Sequence, residues 1–370
     1  MDPIVARYRL DVAPAEAQAR AEALALEQSV ELPDAAVRDP RIRERVIPRI
    51  LSIEPLPDGA FAVELAFDAA LSALDAAGLL NLLFGNASLL GDVRLVDVGI
   101  PEELRIGFGG PRHGVAGLRA LCDVPDGPLT ASALKPLGLG PDELAALAEQ
   151  LALGGIDLVK DDHGLGDHPF CPFAERVAAV CAALDRVAQR TGRRTRYAPH
   201  VVGDGAAIEH QLDQARQAGA DAVLCCPMLI GPAAFHRIAR RLWDGPVLAH
   251  PALAGSSAIA PELLVGRLFR LFGADATIYP HVAGRFAWSD DQVTRLLDGA
   301  RGAWPPLRPA LPVPAGGMTL ERVPELARDL GPDVMLLIGG SLHVGPEELV
   351  ERTRAFVEAA RSAGEGGTGP

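Results

Sequence analysis

Basic charge is in short supply in this chain: 35 Lys and Arg side chains stand against 48 Asp and Glu, a formal net charge of −13. A nucleic-acid groove needs a basic stripe over the phosphates, so this balance argues against that class of partner. Stacking platforms are few as well, with three Trp and three Tyr in 370 residues. The cysteines number five, Cys122, Cys171, Cys181, Cys225 and Cys226, an odd count without zinc-ligand spacing. They read as small buried thiols of a reducing compartment, not as a disulfide frame. No run of about 18 apolar residues escapes interruption, which argues against a membrane helix. The opening MDPIVARYRL has neither the basic cap nor the apolar stretch of a secretion signal. The expectation is a cytoplasmic protein with no membrane partner.

Repetition is what the chain does have. Residues 3–10, 45–57, 59–69 and 91–100 alternate like strands, and AEAQARAEALALEQS (15–29) and GLLNLLFGNASLL (78–90) read as largely helical. This mixture predicts a small α+β domain over residues 1–125, one sheet face covered. A Gly/Pro-punctuated connector near 105–128 carries the boundary. From 126 to 362 a strand–loop–helix unit recurs eight times. Its apolar strand cores are LTASALK (129–135), IDLVK (156–160), TRYAPH (195–200), DAVLCC (221–226), PVLAH (246–250), DATIY (275–279), LPVPA (311–315) and VMLLIG (334–339). Eight such units, with no dinucleotide fingerprint after the first strand, predict a closed (β/α)8 barrel; residues 363–370 form a flexible tail.

Barrel active sites assemble at the carboxyl ends of the strands. Lys135 ends the first strand, Lys160-Asp161-Asp162-His163 the second, His200 the third and His250 the fifth; His281 and Arg285 follow the sixth. Residues 160 and 162 share an orientation, and an Asp oxygen with a His nitrogen can bind a divalent cation. A carbamylated Lys160 would add an anionic oxygen suited to Mg²⁺; the plainer alternative is a solvated loop with a Lys–Asp ion pair. Lys135 in an apolar strand faces a polar pocket and can move a proton, or else snorkels from the rim. His200 and His250 are site candidates as a pair, though each alone reads as a satisfied structural histidine. Gly316-Gly317 and Gly339-Gly340-Ser341 follow strands seven and eight, where exposed N–H groups commonly bind phosphate; tight-turn glycines are the alternative.

The stretches FGGPRHGVAGLR (108–119), SALKPLGLG (132–140), GGIDLVKDDHG (154–164), LAHPALAG (248–255), AGGM (315–318) and IGGSLHVGP (338–346) resemble the RuBisCO large chain. The resemblance is closer to the RuBisCO-like (form IV) proteins that share its fold without fixing CO₂. ALEQSVELP (25–33) and LFGNASLL (83–90) extend it into the first domain. It implies a ferredoxin-like α+β first domain before the barrel, and a homodimer in which Glu27 and Asn86 enter the partner's site. Lys135 matches the lysine that handles protons on enolisation, Lys160 the lysine that becomes carbamylated and Asp162 a Mg²⁺ ligand. His163 stands where a glutamate is usual, which opens the site to Mn²⁺. His250 matches a strand-five active-site histidine, Arg285 the mobile-loop lysine in charge only, and Gly317, Gly339 and Gly340 a phosphate cradle, with Ser341 as a further donor. Pro251 and Ile278 replace residues that hold the second phosphate in RuBisCO. Carboxylation of ribulose bisphosphate is therefore not expected, and the substrate carries one phosphate. The first expectation is decarboxylation or carboxyl-carbon cleavage of a 3-oxo-isoapionate 4-phosphate-like sugar acid. The alternatives are a methionine-salvage enolase or isomerase acting on a methylthio-ketose 1-phosphate, and an inactive dimer that binds a phosphorylated metabolite.

Overall fold

A computed structural model describes residues 2–282, 286, 288–344 and 348–365. The first domain is an antiparallel sheet in the order β2-β3-β1-β4, from β1 (Ile4–Leu10), β2 (Arg49–Pro55), β3 (Phe61–Phe67) and β4 (Val93–Gly99). Along β1 the period of two puts Ile4, Ala6, Tyr8 and Leu10 in the core. Helices α1 (Ala17–Glu27) and α2 (Pro40–Arg45) lie between β1 and β2 in the chain, and α3 (Ala76–Phe84) between β3 and β4; Leu24 of α1 with Leu79 and Leu83 of α3 buries that face. The open edge of β4 is capped by the barrel: Leu95 N donates to Ala258 O at 3.0 Å, and Ala260 N to Leu95 O at 2.8 Å.

The eight later strands are β5 (Leu129–Leu134), β6 (Leu158–Asp161), β7 (Arg196–Ala198), β8 (Val223–Cys225), β9 (Val247–Ala249), β10 (Ala276–Pro280), β11 (Leu311–Ala315) and β12 (Met335–Leu337). All their pairings are parallel, in two runs, β12-β5-β6-β7 and β8-β9-β10-β11. A bridge between His200 and Leu224 joins the runs at β7 and β8, and β11 packs beside β12 to close the ring. The interior is filled by alternate residues: Leu129 and Ala131, Ala276 and Ile278, Leu311 and Val313, Met335 and Leu337. Ile278 is one of these packed core residues and 2% exposed.

The expected connector is a correction. It holds two helices, α4 (Glu102–Phe108) and α5 (Gly114–Cys122). Val115, Leu118 and Cys122 of α5 pack into the barrel interior from the amino-terminal end, so α5 belongs to the barrel and the boundary falls before it, not at 125. The glycines that suggested a linker serve close packing: a Cβ on Gly114, at φ +59°, would collide with Pro309 O. Opposite the site, aspartates fix strand register. Asp157, Asp221 and Asp275 accept from the backbone N–H of Thr130, Tyr197 and Val247 on the preceding strands. The final helix, Leu349–Glu365, runs past the expected start of the tail at 363.

Candidate active site at the carboxyl end of the barrel

Because side chains alternate along a strand, the interior rows continue past the core to the mouth. Lys135 follows Ala131 and Ala133; Lys160 and Asp162 follow Leu158; His200 follows Ala198, Cys226 follows Leu224 and His250 follows Leu248. Six polar side chains from five strands thus meet by periodicity alone. Lys135 Nζ lies 2.9 Å from Asp162 Oδ1, and His163 Nδ1 lies 3.5 Å from the same oxygen. The His163 ring stacks on His250, with centroids 4.1 Å apart and planes at 14°. Lys135 and His163 keep 34% and 44% of their side-chain surface in solvent, so both are open to a ligand.

Electrostatics divides the roles. Burial lowers the Lys160 ammonium to a pKa of about 8, against the pull of Asp162, and its Nζ donates to Asp161 O at 2.9 Å. Burial alone would raise Asp162, but hydrogen bonds from His163 and Lys135 and the charge of Lys160 hold it well below the usual carboxylate range. Burial, with Lys160 nearby, lowers His250 to about 2, and Ala252 N donates to its Nδ1 at 3.2 Å. His250 is therefore neutral, with Nδ1 as acceptor and Nε2 carrying the hydrogen.

His200 is brought to the mouth but its ring is already engaged. Nδ1 lies 3.0 Å from Leu165 O and so carries the hydrogen; Nε2 then accepts from the Cys226 thiol at 3.4 Å. It is 1% exposed, and burial lowers its pKa to about 4. That arrangement fits the structural reading of His200 better than a direct role. His281 is likewise turned to backbone, its Nδ1 2.6 Å from Val282 O.

The glycine loops lie where the strand ends place them. A Cβ on Gly339 would come within 3.9 Å of Lys135 Cε, and one on Gly340 would meet nothing within 4 Å, so open space beside the lysine fronts the loop. Gly317 sits at φ +84°, a conformation glycine adopts without penalty. Ser341 Oγ donates to Met318 O at 2.8 Å, tying the β12 loop to the β11 loop. Arg285 lies outside the described residues. Glu27 and Asn86 are joined by a 3.0 Å hydrogen bond and line a hollow of about 280 Å³ whose walls are all first-domain residues. Lys135 is not among the residues that line this hollow. A larger cavity, about 630 Å³, lies between the first-domain sheet and barrel residues 262–299, away from the chemistry.

Two features escape a motif reading. Asp161 points outward from β6 into a buried cluster, accepting from Arg176 Nε at 3.1 Å, Tyr197 Oη at 2.7 Å and His200 N at 3.0 Å. This cluster anchors the run that carries Lys160 and Asp162; an arginine in the apolar row Phe173, Val177, Val180 was its signal. The second is composition: Lys135 and Lys160 are the only lysines in the chain, the other 33 of its 35 basic side chains being arginine.

The model of the ribulose bisphosphate carboxylase large chain, catalytic domain, matches residues 114–282. The chain is 48% identical to ribulose bisphosphate carboxylase-like protein 1 of Rhodopseudomonas palustris, over 98% of both proteins. This chain belongs to the RuBisCO-like proteins of the RuBisCO large-chain superfamily. The RuBisCO-like protein described here superposes on a solved Rubisco-like protein from Rhodopseudomonas palustris with a TM-score of 0.92, at 44% identity over the whole of both chains. It is also 45% identical to the 5-methylthioribulose-1-phosphate isomerase of Rhodospirillum rubrum, over 100% of this chain and 99% of that protein. It is an enzyme of the family's enolase and isomerase type. No described helix is long and apolar enough to cross a membrane.

Proposed function

We propose that this RuBisCO-like protein is an isomerase that moves a proton between carbons of a mono-phosphorylated methylthio-ketose of the 5-methylthioribulose 1-phosphate kind. The observation that carries the reading is Lys135, held at 2.9 Å by Asp162 and beside Gly339, in a chain aligned end to end with an isomerase of that name. The sugar-acid cleavage expected first from the sequence has no support among these relatives, and the methionine-salvage alternative replaces it.

The phosphate would sit on the N–H groups of Gly317, Gly339 and Gly340, with the ketose carbonyl over Asp162 and His163. Lys135 Nζ, once it has given up its own proton to solvent, would take the proton from the carbon next to the carbonyl and return it to the former carbonyl carbon, while the hydroxyl proton passes from one oxygen to the other. The Nε2–H of neutral His250 can donate to the oxygen on which charge develops. Among the described residues no three His, Cys, Asp or Glu side chains surround a point fit for a metal. An oxygen from Lys160 would add a third ligand to Asp162 and His163, and the buried Lys160 amine, lowered to a pKa of about 8, suits it to take up CO₂. Carbamylated Lys160, Asp162 and His163 would then hold Mg²⁺ or Mn²⁺, which supplies polarisation of the carbonyl and adjacent hydroxyl.

The homodimer belongs to the same reading, in which Glu27 and Asn86 would complete the site from another copy. Leu32 and Leu89, close to them in sequence, are 49% and 84% exposed, as an apolar contact surface would be. The test is NMR of 5-methylthioribulose 1-phosphate with enzyme, bicarbonate and Mg²⁺. Conversion to an isomeric ketose phosphate supports the proposal; release of CO₂ from a sugar-acid phosphate, with this ketose untouched, overturns it.

A further inference from the structure

The loop after β9 carries an anomaly that the proton chemistry does not use. Leu253 lies three residues beyond His250 and adopts φ +64° and ψ +1°, a left-handed conformation that leucine rarely takes and glycine takes freely. Its side chain is nevertheless 53% exposed, so the fold's own core does not account for it. The turn around it is firmly made. Ala254 N donates to Pro251 O at 2.9 Å, Ser256 N and Oγ donate to Leu253 O at 3.1 and 2.7 Å, and Ala252 N holds His250. A tight turn tied to an active-site histidine thus forces a large apolar side chain outward at the mouth.

Its place in the ring gives that side chain a role. Following the order β5 to β12 around the barrel, β9 stands across from β5, which carries Lys135, and away from β11 and β12, which carry the glycine loops. A substrate with its phosphate on those glycines and its reacting carbons at Lys135 extends its far end toward the β9 turn. From Pro251 to Pro261 the sequence PALAGSSAIAP has no charged side chain, so a second phosphate would find no cation in this segment. We propose that Leu253 is a specificity-determining residue that receives the uncharged apolar tail of the ketose phosphate. This rests on the isomerase reading and deepens it: the enzyme selects against a hydroxyl or phosphate where its substrate has an alkylthio group.

The experiment compares kcat/KM for 5-methylthioribulose 1-phosphate and ribulose 1-phosphate in the wild-type enzyme, in L253G, whose backbone suits φ +64°, and in L253K. Wild-type enzyme is expected to favour the methylthio compound by about tenfold or more, the discrimination an apolar contact supplies. In L253G that ratio should fall toward one. In L253K it should fall further, with binding of ribulose 1,5-bisphosphate gained, read by competition. An unchanged ratio in both variants overturns the assignment. So does a change in mass by light scattering with the ratio kept, which would make Leu253 a subunit contact. If wild-type enzyme turns over neither ketose phosphate, the isomerase reading fails and this inference fails with it.

Discussion

Lys160 shows how one buried residue links pH to chemistry. Folding lowers its pKa from 10.5 to about 8, because burial penalises the ammonium. A base depressed in this way opposes the fold most below pH 8, and the opposition fades as pH rises from 8 to 10.5, where the unfolded chain binds more protons. The same rise frees the amine for CO₂. With ¹³C-bicarbonate, a carbamate resonance additional to that of the α-amino group should therefore grow between pH 7 and 9 and be absent from K160A. Only one other lysine and the α-amino group exist to compete, and their signal, unlike that of Lys160, is unchanged in K160A. An additional resonance that persists in K160A would move the modification elsewhere. The lysine, aspartate and strand-five histidine of this site were legible from strand-end position and family motif. The engagement of His200 with Cys226 and of Ser341 with Met318 was not, since it depends on which neighbour each hydrogen finds. The tie between Asp161 and Arg176 spans β6 and the following helix, and no local motif announces it.

At the scale of elements, the eight barrel strands were legible as apolar cores between turn residues, although several shrink to three residues, as in β7, β8, β9 and β12. Helices α4 and α5 were hidden, because glycine and proline mark both linkers and close contacts. The amino-terminal aspartates are a register device that pattern reading also passes over. Asp157 is 1% exposed and accepts from Thr130 N and Oγ1, Arg193 and Arg361, tying β5, β6 and the final helix together. Both arginines are partly solvated, at 42% and 30%, and can rehydrate when the carboxylate is removed. D157A should therefore cost about 2–3 kcal/mol, toward the low end for a broken buried network. Denaturant unfolding would show this as a lowered midpoint. A midpoint unchanged within error would mean that the aspartate does not hold the strands.

The candidate site residues fall on two domains, with Glu27 and Asn86 on one and Lys135 on the other. If the site is shared between subunits, N86A and K135A homodimers are each inactive, and mixing them after reversible dissociation restores one intact site per mixed dimer. Recovery of about a quarter of wild-type activity is expected for random pairing, half the molecules being mixed with one working site of two. No recovery would return Asn86 to a structural role within its own chain. The central claim is that Lys135 moves a proton from carbon in a mono-phosphorylated ketose. Its most direct test is NMR of 5-methylthioribulose 1-phosphate in D₂O with bicarbonate and Mg²⁺, comparing wild-type enzyme with K135A. The account predicts an isomeric product formed by wild-type enzyme, deuterium wash-in at the carbon beside the carbonyl, and loss of both by at least about a thousandfold in K135A, as expected when the proton-transfer group itself is removed. Exchange that continues undiminished in K135A, or isomerisation at the wild-type rate without it, would contradict the account.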